Sequence, residues 1–148
     1  MANQLSNRYK LELLKGNLDF DIGIHVFKMA LMTTGWDVNT FNKDTHGVWS
    51  DVSAGELFTA FGYAGVGDAS SNMTVTAITQ ENGTDVGQVT FSNMQWTATG
   101  GSIGPSGGAI IYDSSASNII VGYIDFNGDQ TATDGGTFTV SNIVLKNG

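Results

Sequence analysis

The chain has 148 residues, enough for one domain with a core of its own, and only 14% of them are charged, against the usual quarter. A surface so poor in charge must be made of Ser, Thr, Asn and Gly, which argues against a helical bundle with Glu- and Lys-rich faces and for a turn-rich β protein. The lack of cysteine excludes disulfide stapling, thiol catalysis and thiolate metal sites, and a net charge of −8 disfavours binding to nucleic acid.

Met1 to Lys15 contain no long apolar run and no small-residue cleavage site, so no signal peptide is expected. No stretch has the roughly 18 continuous apolar residues of a membrane helix. The expectation is synthesis in the cytoplasm, with no membrane partner. Arg8, Lys10, Lys15 and Lys28 against Glu12, Asp19 and Asp21 leave the first 28 residues at +1. Lys43 and Lys146 against eleven carboxylates leave the remainder at −9.

Helical periodicity is clear once. Leu5, Tyr9 and Leu13 recur at every fourth residue, Leu11 and Leu14 broaden the stripe, Asn3 or Ser6 can cap its start, and Gly16 can end it. An isolated helix of about a dozen residues is marginal in water, so this one must pack on its own domain or on a neighbouring subunit. The pattern predicts a helical arm over residues 1–16 and a single β domain over 17–148, with Leu5, Tyr9, Leu13 and Leu14 as candidate interface residues.

After Gly16 the period changes. Val26, Lys28, Ala30 and Met32 interleave with Phe27, Met29 and Leu31, a strand apolar on nearly both faces and therefore central in a sheet or at an interface. Thr33 to Thr45 reads as a loop anchored by Trp36 and Phe41, and Val48 to Ser50 as a short strand. Ser53-Ala54-Gly55-Glu56 has capping-box spacing and predicts a single helical turn before Leu57 and Phe58. Further strands are predicted at Met73–Thr79, Val86–Phe91, Met94–Ala98, Ala109–Tyr112, Ile119–Phe126 and Thr137–Leu145. The turns between them are marked by Asn82-Gly83, Asn127-Gly128 and Gly135-Gly136, and Gly100–Gly108 reads as a glycine-rich loop. Short strands at this spacing predict a mainly β fold, an antiparallel β-sandwich or a barrel-like domain.

Several motifs invite chemistry and fall short of it. Asp125, Asn127 and Asp129 have the alternating oxygen ligands of a calcium loop. Gln130 then stands where Gly is required and Gly136 where a bidentate Glu is required, so an ordinary turn is expected. His25 and His46 lack metal-ligand spacing, and Gly100–Gly108 lacks the Lys-Ser or Lys-Thr and the helix of a phosphate loop. Trp36, Trp49, Trp96, Tyr63, Tyr112 and Tyr123 could form a sugar platform, but their spread over many strands favours packing. The expectation is no catalytic residue, metal or cofactor.

Asn7-Arg8-Tyr9-Lys10 is followed by Leu13-Leu14-x-Gly16, then Phe27-Lys28-Met29-Ala30-Leu31-Met32, Asp44-Thr45-His46, Asp51-Val52 and Gly62-Tyr63. Trp96-Thr97-Ala98, Ala109-Ile110-Ile111-Tyr112-Asp113, Gly122-Tyr123-Ile124-Asp125-Phe126-x-Gly128-Asp129-Gln130 and Thr133-Asp134-Gly135-Gly136-Thr137-Phe138 continue the order. In that order, over nearly the whole chain, these stretches resemble a family of small virion structural proteins of tailed bacteriophages. The sequence departs from the pattern at Phe58-Thr59-Ala60-Phe61, where a more polar and glycine-rich segment is expected. The resemblance implies a non-enzymatic capsid decoration, or cement, protein on the outer face of the virion shell. Its partner would be the major capsid protein, and it would act as a symmetric homo-oligomer, for example a trimer at local three-fold sites. Candidate contacts are Phe27, Met29, Leu31, Phe58 and Phe61 with the four residues of the arm. The alternatives are a tail, baseplate or fibre component, and a carbohydrate- or receptor-binding β module.

Overall fold

The computed structural model describes residues 3–147; Met1, Ala2 and Gly148, the outer ends of the two predicted segments, lie outside the described residues. The elements are β1 (Gln4–Leu5), α1 (Asn7–Leu14), β2 (Phe27–Thr33), β3 (Asn72–Met73), β4 (Val75–Glu81) and β5 (Val86–Phe91). They continue with β6 (Met94–Thr97), β7 (Ile103–Asp113), β8 (Ile119–Ala132), β9 (Thr137–Val140) and β10 (Val144–Asn147). Three antiparallel sheets result, ordered β1-β8-β7-β2-β3, β10-β5-β4 and β6-β9. The large sheet keeps free edges at β1 and β3, so the architecture is sandwich-like and not a closed barrel.

Both faces of the large sheet are covered, which is why β2 is apolar on both. Phe27, Met29 and Leu31 enter one core with Ala109, Ile111, Val121 and the inner residues of the two small sheets, including Phe91, Trp96 and Phe138. Ala30 and Met32 point the other way, with Ile110, Tyr112, Ile120 and Tyr123, onto Phe41 and Val52 of the long 34–56 loop. That loop closes the second core by aromatic stacking, Trp49 on Tyr112 with centroids 5.1 Å apart and Phe41 on Tyr123 at 5.8 Å. Its predicted strand at Val48 is a single bridge to Ile119, followed by a 3-10 turn over Trp49–Asp51. The helical turn expected at Ser53 is a 3-10 turn, Ser53–Gly55.

The N-terminal segment is part of this domain and not an arm standing off from it. Gln4 and Leu5 pair with Tyr123 and Gly122, and the Ser6 amide donates to Val121 O at 3.0 Å. The Ser6 side chain caps α1 by accepting from the Arg8 amide, and Gly16 ends it at φ 73°, as the spacing predicts. Tyr9, 1% exposed, packs edge-on against Phe20, which stacks on Phe27 with centroids 4.6 Å apart. Burial pushes the Tyr9 phenol up to about 12.

Glu12 is buried beside Tyr9 and is held by Asn17 Nδ2 at 2.6 Å, Arg8 Nε at 2.8 Å and Lys15 Nζ at 3.5 Å. The Asn17 hydrogen bond first, then the charges of Lys15 and Arg8, hold its carboxyl below the ordinary value of 4.5 against the opposing pull of desolvation. A carboxylate depressed by folding adds stability above its unfolded pKa and loses it as pH falls through the folded one. Glu12→Gln should therefore lower the melting temperature near neutral pH. The gap to the native chain should close as pH drops below the ordinary carboxylate range of about 4–4.5. Thermal melts across that range check it; a gap independent of pH would show that the residue acts by packing alone.

Candidate docking surface

The candidate contact residues separate into two groups. Tyr9, Phe27, Met29 and Leu31 are at most 1% exposed and hold the main core together, so the folded chain cannot present them to a partner. Their hydrophobicity reports the two-sided burial of the central sheet. Leu5 and Leu13 are half-buried against the same core. Leu14, Phe58 and Phe61 are open to solvent, 88%, 80% and 47% exposed.

Phe58 lies on a loop whose two stems are clamped. On the first, the Leu57 amide donates to Leu31 O at 2.7 Å and buries the Leu57 side chain. Glu56 Oε1 accepts from the Tyr63 hydroxyl and the Val66 amide, both at 2.9 Å, and the Tyr63 oxygen accepts from the Leu31 amide at 3.0 Å. Burial, reinforced by the Glu56 carboxylate, raises the Tyr63 pKa, so the phenol stays a neutral donor. On the second stem, the Thr99 amide donates to Phe61 O at 3.0 Å, and Phe61 takes a left-handed φ of 55°. Its ring lies over Gly101, where an added Cβ would come within 2.6 Å of it. The stems of the loop are thus fixed by hydrogen bonds, the Phe61 ring is seated over Gly101, and Phe58 projects into solvent between them. Phe58-Thr59-Ala60-Phe61, where a more polar and glycine-rich segment is expected, forms a turn with Ala60 bridged to Tyr63.

Further exposed apolar side chains lie outside the candidate contact residues. Ile22 and Ile24, 68% and 59% exposed, precede β2, and Leu11 is 46% exposed on the outer side of α1. The alternation of Ile22, Ile24 and Val26 was the available signal, masked because it runs without a break into the truly buried β2. Beneath β1 a crevice of about 300 Å³ opens between the large sheet and β10, lined by Leu5, Phe91, Val121, Ile124, Phe126 and Leu145. Among the described residues no charged side chain lines it.

The oxygen ligands of the calcium-like spacing do not converge. Asp125 Oδ1 accepts from the Asn127 amide at 2.8 Å, an Asx turn. Asp129 reaches instead to the Gly35 amide at 3.2 Å and to the Thr34 hydroxyl. The two histidines are also far apart in role. His46 Nδ1 accepts from the Asn42 amide at 3.0 Å. His25 Nδ1 lies 2.5 Å from Asp113 Oδ2, and Asp113, itself fully buried, accepts from the Ser115 and Ala116 amides through its other oxygen. This His–Asp contact ties the start of β2 to the turn after β7 across 88 residues, a pairing no spacing could signal. Among the described residues, no three His, Asp or Glu side chains form a group that could hold a metal ion. Of the aromatics considered for a sugar platform, Trp96 is buried against Tyr63 and Phe138, while Trp36 and Trp49 are half-buried on Tyr123 and Tyr112.

Among the described residues no helix is long and apolar enough to cross a membrane. No family model, no curated protein and no solved structure matches the chain.

Proposed function

We propose that the chain is a virion structural protein of a tailed bacteriophage, a decoration protein that binds the outer face of the assembled capsid and ties neighbouring capsomers together. The observation that carries this reading is Phe58, 80% exposed on a loop clamped at both stems. An exposed aromatic on a loop with fixed stems needs little backbone ordering on docking and is the kind of anchor that dominates protein interfaces. The ordered resemblance along the sequence and the acidic body, which stays soluble and avoids packaged DNA, support the same reading. Docking buries Phe58 and Phe61 in the shell, and repetition over many copies turns a modest gain per site into resistance to rupture.

Fully burying a Phe side chain contributes about 1.5–3 kcal/mol. Phe58→Ser should therefore weaken capsid binding by about 10- to 100-fold while leaving the melting temperature nearly unchanged. Co-sedimentation of the purified protein with capsids that lack it measures this. Heads assembled without the protein should be intact but fragile to heat and osmotic shock, and rescued by adding it back. Heads of unchanged resistance on particles with missing tails or failed host attachment would refute the capsid reading and promote a tail or fibre role.

A further inference from the structure

Every open sheet invites pairing with another strand, and proteins blunt their edges with short strands, lysine or proline. Most edges of this fold follow that practice. β1 and β3 are two residues each, β6 and β9 four each, and β10 is four residues with Lys146 in an ion pair to Glu81. β4 does not. It is seven residues long, forms the free edge of the β10-β5-β4 sheet, and carries neither lysine nor proline. The chain is uncharged from Ala69 to Gln80, and Ile78 at the middle of β4 is 49% exposed.

The backbone of β4 shows where a partner strand would bond. The Phe91 amide of β5 donates to Ile143 O on the β10 side, so by alternation Thr90 and Gln88 turn towards β4. Their opposite numbers are Ala77 and Thr79, which spend their amides and carbonyls within the hairpin. Ile78 and Gln80, the intervening residues, direct theirs outward, and among the described residues no strand pairs with β4 on that side.

We propose that two copies of this chain pair through β4, antiparallel across a two-fold axis at Thr79, joining their small sheets into one. In that register Ile78 of each copy exchanges hydrogen bonds with Gln80 of the other, and Thr79 faces its own counterpart, a favourable cross-strand pair. Glu81 falls opposite Ala77, so the two carboxylates sit at opposite ends of the contact. Parallel pairing would bring them together. The uncharged edge and the separation of the two carboxylates fit a second copy in this antiparallel register. The bulge between Val75 and Ala77 ends the pairing on one side. The proposal stands independently of the capsid reading. Net charge of −8 per copy opposes association, so dimerisation should strengthen with salt.

The test is sedimentation equilibrium of the purified full chain from about 0.05 M to about 0.5 M salt, with amide hydrogen exchange at low and high protein concentration. A dimer is expected, tighter at high salt, with the Ile78 and Gln80 amides protected only at high concentration and Thr79 protected throughout. Ile78→Pro removes an outward donor without touching the bonds to β5, and should raise the dissociation constant at least about tenfold. Ile78→Lys, which keeps the backbone donor but puts a charge on the edge, should act in the same direction if the proline variant fails to fold. A monomer at every concentration, a trimer, or a dimer whose Ile78 and Gln80 amides exchange freely would overturn the proposal. So would a dimer that neither variant weakens.

Discussion

Deleting residues 2–16 should unfold the domain. The cut removes β1 from the edge of the large sheet, the Ser6 amide from Val121, and Tyr9 from the main core. Loss of one large buried aromatic alone costs about 3–5 kcal/mol. Here it also strips one side of Phe20, which in turn supports Phe27 and Phe91. A domain of this kind has only about 5–15 kcal/mol to lose, so the deletion removes most or all of it. Tyr9→Ala is the graded companion: folded, but destabilised by about 3–5 kcal/mol. Near-ultraviolet circular dichroism and urea titration of both chains measure this. A truncated chain that keeps its near-ultraviolet spectrum and melts within a few degrees of the native one would restore the idea of a separable arm.

The sequence pattern alone does not distinguish a separate arm from a docked helix. The helix is short, capped by Ser6 and ended by Gly16, and must pack on something; what it packs on is a long-range fact. The strands with strict alternation and clear flanking turns were legible: β5 matches its predicted span of Val86–Phe91. The two-sided apolar pattern of β2 marks it as an interior strand of the large sheet, where it lies between β7 and β3. Where the backbone departs from regular pairing, the pattern misled. Tyr112 opposes Ile120 while Ile111 opposes Gly122, so a bulge at Val121 shifts the alternation of β8 and sends Tyr123 to the same core as Ile120. Asn127-Gly128 was expected to end this strand. It lies instead in an excursion over Phe126–Asp129, because Gly108 opposes Asp125 and Ser106 opposes Gln130. Thr137–Leu145, expected as one strand, is divided by Asn142 at φ 55° into β9 and β10, which join different sheets. The Asn82-Gly83 pair marks the hairpin rightly, but Glu81 pairs with Val86 around a longer loop than the two-residue turn that such a pair favours. The Phe58 loop was half legible. Phe58 and Phe61 stand out as apolar residues, yet only tertiary contacts to Leu31, Tyr63 and Gly101 place them outward while Leu57 on the first stem is buried.

Gly107→Ala should lower the melting temperature by about 10 °C, corresponding to a loss of about 3 kcal/mol. The glycines of the 100–108 segment suggested a loop, but β7 begins at Ile103, and Gly107 and Gly108 are glycines for lack of room. A Cβ on Gly107 would lie 2.2 Å from Trp36 O and 2.9 Å from Trp36 N, both backbone atoms, so no side-chain rotation can relieve the clash. The 34–56 loop would have to lift from the sheet. That loosens Phe41 and Trp36 from Tyr123, whose hydroxyl donates to Gly107 O at 3.2 Å. Gly108→Ala should do comparable damage from the other side, since its Cβ would lie 2.2 Å from the Tyr123 hydroxyl and 2.5 Å from Ile124 O. Gly83→Ala is the reference substitution. Nothing lies within 4 Å of a Cβ there and its φ is not left-handed, so the change should stay within about 0.5 kcal/mol of the native chain. Differential scanning calorimetry of the three variants decides the matter. If Gly107→Ala melts alongside Gly83→Ala, the loop yields to the sheet without cost, and the second core does not depend on the close approach of Trp36 to β7. If it falls as expected while the proposed capsid binding persists at low temperature, then the buried face of β7 serves stability and takes no part in that binding.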